Sequence, residues 1–140
     1  MDITKKNLTY FKAAGKIALL STFHKGRGVQ VGCVIVYRNH IISSGFNSDK
    51  TDPVQMKYNR YRFISNSSPH TIHAEINAIK PIMNRDIDWS SVEIYITRVL
   101  RKDGSFAMTR PCPSCMKLIC DMGIHKVFYT TDIGYALEII

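Results

Sequence analysis

Two short segments, His73-Ala74-Glu75 and Pro111-Cys112-Pro113-Ser114-Cys115, constrain this chain more than anything else in it. Together they supply one imidazole, two thiols and one carboxylate, each group at the start of a predicted helix. Cys112 and Cys115 are three apart, so at a helix start both sulfurs can face one point. The free backbone N–H groups of that first turn also favour thiolate over thiol. The separation from His73 to Cys112 (112 − 73 = 39) leaves room for one helix, one strand and a turn. Two neighbouring helix N-termini on one sheet can then converge on a single ion.

One imidazole and two thiolates suit zinc. A catalytic zinc has three protein ligands and keeps the fourth position for water, whereas a structural zinc usually has four. Glu75, two residues past His73, approaches that water without being a ligand. The chemistry this allows is hydrolytic deamination. Zinc-bound hydroxide would attack the carbon bearing an exocyclic amine, while Glu75 would pass the water proton to ring nitrogen N3 and later help protonate the departing ammonia. The residues leave two other readings. One is a structural zinc site completed by Cys120 or His70, which has no need of Glu75. The other is a redox pair of Cys112 and Cys115, which has no need of His-Ala-Glu.

The chain has 140 residues, 45% hydrophobic and 21% charged, which fits a single globular domain over 1–140. No apolar run reaches the roughly 18 residues that span a bilayer, and the first residues lack the layout of a secretory signal. A soluble, cytoplasmic protein without membrane contact is the expectation. Three of the four cysteines (Cys33, Cys112, Cys115, Cys120) fall within nine residues, which argues for metal chemistry over a disulfide framework. Cys33 and Cys120 read as core packing. The net charge of +8 favours phosphate-bearing small molecules or polyanions as partners.

Periodicity predicts an amphipathic helix over 8–20, a buried strand over 29–37, a tight turn at Arg38-Asn39-His40 and a return strand over 41–46. Residues 47–69 are polar and irregular, with a short helix over 54–63. The next helix is expected from a Ser68 cap and Pro69 through 70–83. A strong strand over 92–100 turns back at Asp103-Gly104 through 105–109. A helix then runs from Pro113 to Gly123, a strand covers 126–130, and the closing YALEII reads as a short helix. Alternating strands and helices after an opening hairpin predict an α/β fold, a three-layer α/β/α sandwich on a mixed five-stranded sheet.

His-Ala-Glu followed by Pro-Cys-x-x-Cys resembles the zinc signature of the cytidine and deoxycytidylate deaminase superfamily, a signature already described for base deaminases. HAEINAI (73–79) looks like the HAE-x-NA run of deoxycytidylate deaminases. VGCVIVYRNHIISSGFN (31–47) looks like the family's opening hairpin, and GIHKVFYT (123–130) like the strand after its second zinc helix. The resemblance covers roughly residues 8–130 and implies a cytidine deaminase-like fold. It implies zinc ligands His73, Cys112 and Cys115, and Glu75 as proton shuttle. It matches Asn47 to a position that contacts the sugar of the substrate, gives Ala74 a backbone contact to the base, and implies a homo-oligomer. Residues 99–110 depart from the family pattern and look like an extra hairpin.

Two substrate classes follow. The first is a free cytosine-type nucleotide or nucleoside, with dCMP converted to dUMP by attack at C4. The alternative is cytosine or adenine within single-stranded DNA or RNA, motivated by the basic charge. Lys50, Lys57, Arg60 and Arg62 interleave with Tyr58, Tyr61 and Phe63, a pattern that reads as a lid whose Arg60 and Arg62 hold a phosphate. His70, three residues before His73, is a candidate pocket residue. A zinc-stabilised binding domain without turnover is a third reading.

Overall fold

The structure, a computed structural model, describes residues 2–62 and 70–140. Helix α1 (Lys5–Ala18) opens the chain, with Thr4 and Asn7 capping its first turn reciprocally. Strands β1 (Gln30–Tyr37) and β2 (His40–Phe46) form an antiparallel hairpin. Arg38 and Asn39 both take left-handed backbone angles (φ 50° and 66°), which matches a two-residue connection to the strand twist. Helix α2 (Pro53–Tyr58) continues into a 3-10 turn over Asn59–Tyr61. Phe63, Ser68 and Pro69 lie outside the described residues.

Helix α3 (Ala74–Ile79) starts later than the sequence predicts. The chain before it is extended instead. Thr71 pairs with Thr51, the Ile72 N–H donates to Lys50 O, and Ser48 N–H donates to Ile72 O. These bonds hold 71–72 out of the helix, so His73 becomes its N-cap. Strand β3 (Val92–Val99) and the two-residue β4 (Phe106–Ala107) pair antiparallel, which is the extra hairpin of 99–110. Helix α4 (Pro113–Met122) carries Pro113 in its first turn and ends at Gly123, whose φ of 90° suits only glycine well.

Strand β5 (Lys126–Thr131) runs parallel to β3. The closing segment is strand β6 (Gly134–Ile139), antiparallel to β5, and not a helix. Its Tyr135 packs on one face of the sheet and Ala136 on the other, so pairing with the open edge of β5 overrides the helix preference of Ala, Leu and Glu.

The sheet order is β2-β1-β3-β5-β6, a mixed five-stranded path with β4 added on β3. One face packs Val34, Val36, Tyr95 and Phe128 against Tyr10, Phe11 and Ala14 of α1. The other packs Cys33, Ile35, Ile94, Ile96 and Val127 against α3 and α4. Three layers result. Cys33 is core as expected, whereas Cys120 is exposed on α4. Among the described residues no helix is long and apolar enough to cross a membrane.

Candidate metal centre

The site forms where α3 and α4 begin, on the sheet face opposite α1. His73 is the N-cap of α3, and Cys112 is the N-cap of α4 with Cys115 inside its first turn. His73 Nδ1 lies 3.5 Å from Cys112 Sγ and 3.4 Å from Cys115 Sγ. All three donor atoms lie within 4.8 Å of one another. A tetrahedral zinc with bonds of about 2.05 Å to nitrogen and 2.3 Å to sulfur has an N···S edge of about 3.5 Å. The spacing therefore fits zinc.

The charges fit as well. The Cys115 thiol donating to Cys112, together with the His73 ring, holds the Cys112 thiol down to about 3 against the effect of burial. The same hydrogen bond and full burial push Cys115 well up. Burial works against a charged His73, and the hydrogen bond to Cys112 overcomes it, raising the imidazole. Glu75, in the first turn of α3 and 5% exposed, is pushed up by burial, against the pull of His73. A metal ion relieves this shared protonation by taking both sulfurs as thiolates.

A buried polar relay ties the two motif segments together. The His73 N–H donates to Gln55 Oε1 at 2.9 Å, and Gln55 Nε2 donates to Asn59 Oδ1 at 2.8 Å. Ser114, between the two cysteines, donates to the same Asn59 Oδ1 at 3.1 Å. Gln55 is fully buried, anchored by Asp52, whose carboxylate caps α2 and pairs with Lys80. Sequence reading missed Gln55, Asn59 and Ser114. Their one local signal is the Asp52-Pro53 helix start that precedes Gln55.

A cavity of about 290 Å³ opens onto His73 and Cys112, lined also by Asn47, Ala74, Glu75, Arg98 and Arg110 among others. Asn47 accepts the Val31 N–H and donates to Val29 O, which leaves one N–H and one lone pair for a ligand. Arg62 Nη1 comes within 3.4 Å of His73 Nε2. His70 and Arg60 are not brought to the cavity. His70 Nδ1 meets Asn59 Nδ2 at 2.9 Å, and Arg60 lies over the Tyr61 ring and donates to its hydroxyl.

Comparison with known proteins agrees with this geometry. Residues 4–131 match the family described as the cytidine and deoxycytidylate deaminase zinc-binding region. The chain belongs to that family. ComE operon protein 2 of Bacillus subtilis is 31% identical over 88% of this chain and 58% of its own length. A deoxycytidylate deaminase of Pongo abelii is 27% identical over 88% of this chain and 64% of its own. The chain thus spans about three-fifths of the curated relatives it matches. The apo crystal structure of dCMP deaminase from cyanophage S-TIM5 superposes with a TM-score of 0.63 at 25% identity, covering 94% of this chain and 86% of that one. Zinc is the metal of this deaminase family, and the His73-Cys112-Cys115 group has the donors and spacing to take it.

Proposed function

We propose that this protein hydrolytically deaminates a cytosine-type nucleotide, dCMP foremost, with His73, Cys112 and Cys115 holding zinc and Glu75 moving the proton. The observation that carries the reading is the buried Glu75 carboxylate sharing one cavity with His73 and Cys112. Zinc at these donors supplies Lewis acidity, lowering the pKa of a water toward neutrality. Glu75 accepts the first water proton at a carboxylate oxygen and delivers it to N3 of the base, then takes the remaining hydroxyl proton from the C4 adduct and gives it to the leaving amine. The C4–N bond gives way to C4=O and ammonia leaves. Burial prepares Glu75 for this role, because a carboxyl pushed above its usual range holds a transferred proton better. The Ala74 backbone and the free valences of Asn47 orient base and sugar from the cavity wall.

The relatives named deoxycytidylate and dCMP deaminase support dCMP as the substrate. The nucleic-acid reading draws less support from the basic segment around 57–62. Arg60 and Lys117 both lie over the Tyr61 ring and Lys57 over Tyr58, so these faces already carry cations of the chain itself. The test is ammonia release by zinc-loaded protein from dCMP, dCTP, deoxycytidine, cytidine and single-stranded DNA, with Glu75→Ala as control. Turnover of dCMP that the control lacks is the expected result. Turnover confined to the strand, or equal rates in the control, would overturn the reading.

A further inference from the structure

The proposed chemistry leaves Arg98 without a task. Arg98 stands on β3 two residues after Ile96, on the sheet face that carries α3 and α4. Its strand neighbours are Val31 on β1 and Ala107 on β4. The side chain lines the cavity together with Asn47, Glu75 and Cys112. Its Nε is buried and, among the described residues, has no hydrogen-bond partner. None of the ion pairs among the described residues includes it.

Arg110, in the same cavity wall, is differently placed. Its Nε and Nη2 both donate to Glu138, which also accepts the Tyr129 hydroxyl at 2.7 Å. The charge of Arg110 is therefore already matched. Among the described residues Arg98 is a half-buried cation without an ion-pair partner, an arrangement that an incoming anion relieves. Cytosine and deoxyribose are neutral. The phosphate of a nucleotide is the group that a planar guanidinium fork fits. Asn47 sits beside this cation, because its Oδ1 accepts the N–H of Val31, the register partner of Arg98. Paired strands lie roughly 5 Å apart, so a sugar at Asn47 and a phosphate at Arg98 are within the span of one nucleotide.

We propose that Arg98 binds the 5′-phosphate of a mononucleotide and makes the site prefer nucleoside monophosphates to nucleosides. This rests on the deaminase reading above and adds to it the residue that sets its substrate class. The experiment titrates zinc-loaded protein with dUMP and with deoxyuridine by calorimetry, using wild type, Arg98→Gln and Arg98→Lys. Wild type is expected to bind dUMP about 10- to 100-fold more tightly than deoxyuridine, the range for a hydrogen-bonded charge pair. Arg98→Gln should erase that preference while zinc content stays at the wild-type value. Should Arg98→Gln fail to fold, Arg98→Lys decides, since it keeps the charge without the fork and should retain part of the preference.

A preference that survives in Arg98→Gln, or is absent in wild type, overturns the inference. Weakening of a deoxyuridine-containing single strand to the same degree as dUMP would assign Arg98 to a nucleic-acid backbone and overturn the mononucleotide source. The two readings fail separately. Equal ammonia release from dCMP and deoxycytidine leaves the deaminase standing and removes the role of Arg98. An Arg98-dependent preference for dUMP without ammonia release from any substrate does the reverse.

Discussion

Glu75 and His73 share the first turn of α3, but their chemistry separates cleanly by substitution. Glu75→Gln keeps the shape and removes the proton acceptor. We expect it to lose about 10²- to 10⁴-fold in turnover while holding one zinc per chain, read by metal analysis of the purified variant. Loss of zinc from this variant would contradict a non-ligand Glu75. Gln55 acts one layer out, through the His73 N–H and Asn59. Gln55→Ala strands a buried N–H and frees both motif segments, so zinc affinity should fall about 10- to 100-fold in a chelator competition, and stability by about 1–3 kcal/mol. Zinc affinity at the wild-type level would show that the relay does not orient the imidazole. His73, Glu75, Cys112 and Cys115 are legible in the sequence because their spacing is local to two helix starts. Gln55, Asn59 and Ser114 are not, because each acquires its role from a partner on another element, and Arg98 is not, because its place in the cavity wall is set by the register of β3 against β1. Arg60, a basic residue beside aromatics, reads as part of a lid from the sequence, and in the structure its guanidinium lies over the adjacent Tyr61 ring.

At the level of elements, α2 is short and depends on its cap. The Asp52 carboxylate accepts the N–H groups of Val54 and Gln55 at 2.8 and 3.3 Å and pairs with Lys80. Burial raises its pKa, but Lys80 and the two N–H groups outweigh that and leave it below the usual carboxylate value. A depressed folded pKa means that the unfolded chain takes up the proton first on acidification. The contribution is therefore complete above the unfolded carboxylate range and disappears as pH falls through the folded value. Asp52→Asn keeps a cap oxygen but removes its charge, so it should lower the Tm at pH 7 by the equivalent of about 1 kcal/mol for the lost charge on the bonds to Lys80 and the two N–H groups, and the gap to wild type should close as pH falls from 5 toward 3. A gap that stays constant with pH would remove the ionised cap from the account. The same scale shows why β6 and the start of α3 escape sequence reading. Their local composition favours helix, and what decides them is an open strand edge at β5 and the Thr51–Thr71 pairing. Both are non-local. By contrast α1, the β1–β2 hairpin, β3 and α4 carry their periodicity and caps within themselves, and their predicted bounds differ by a few residues at most.

Across the whole molecule, two glycines set how closely the layers approach. A Cβ on Gly32 would meet Ala14 O at 2.0 Å and Ala18 N at 2.4 Å, both backbone atoms of α1. A Cβ on Gly45 would meet Ala78 N at 2.5 Å and Ala74 O at 2.8 Å on α3. The α1 layer is seated by this close packing and by hydrogen bonds from Asn7 to the Tyr95 hydroxyl, from Tyr10 to the Asn39 carbonyl and from Thr97 to the Phe11 carbonyl. The opposite layer offers a second tie, because His73 begins α3 and two cysteines begin α4, so one ion held by these donors would join both helices. These supports lie on opposite faces of the sheet and share no partner, so their effects should add. Gly32→Ala should cost about 1–3 kcal/mol or more through overpacking against backbone, in zinc-loaded and chelated protein alike. Chelation should lower the Tm of wild type and of Gly32→Ala by the same amount, and one equivalent of zinc should restore it, since an ion that binds only the folded state at about 100 times its Kd contributes about 2.7 kcal/mol. Differential scanning fluorimetry on the four states decides this. A chelation shift that vanishes in Gly32→Ala would mean that the two faces unfold together through α1. A chelation shift absent from wild type would mean that the ion does not hold α3 to α4.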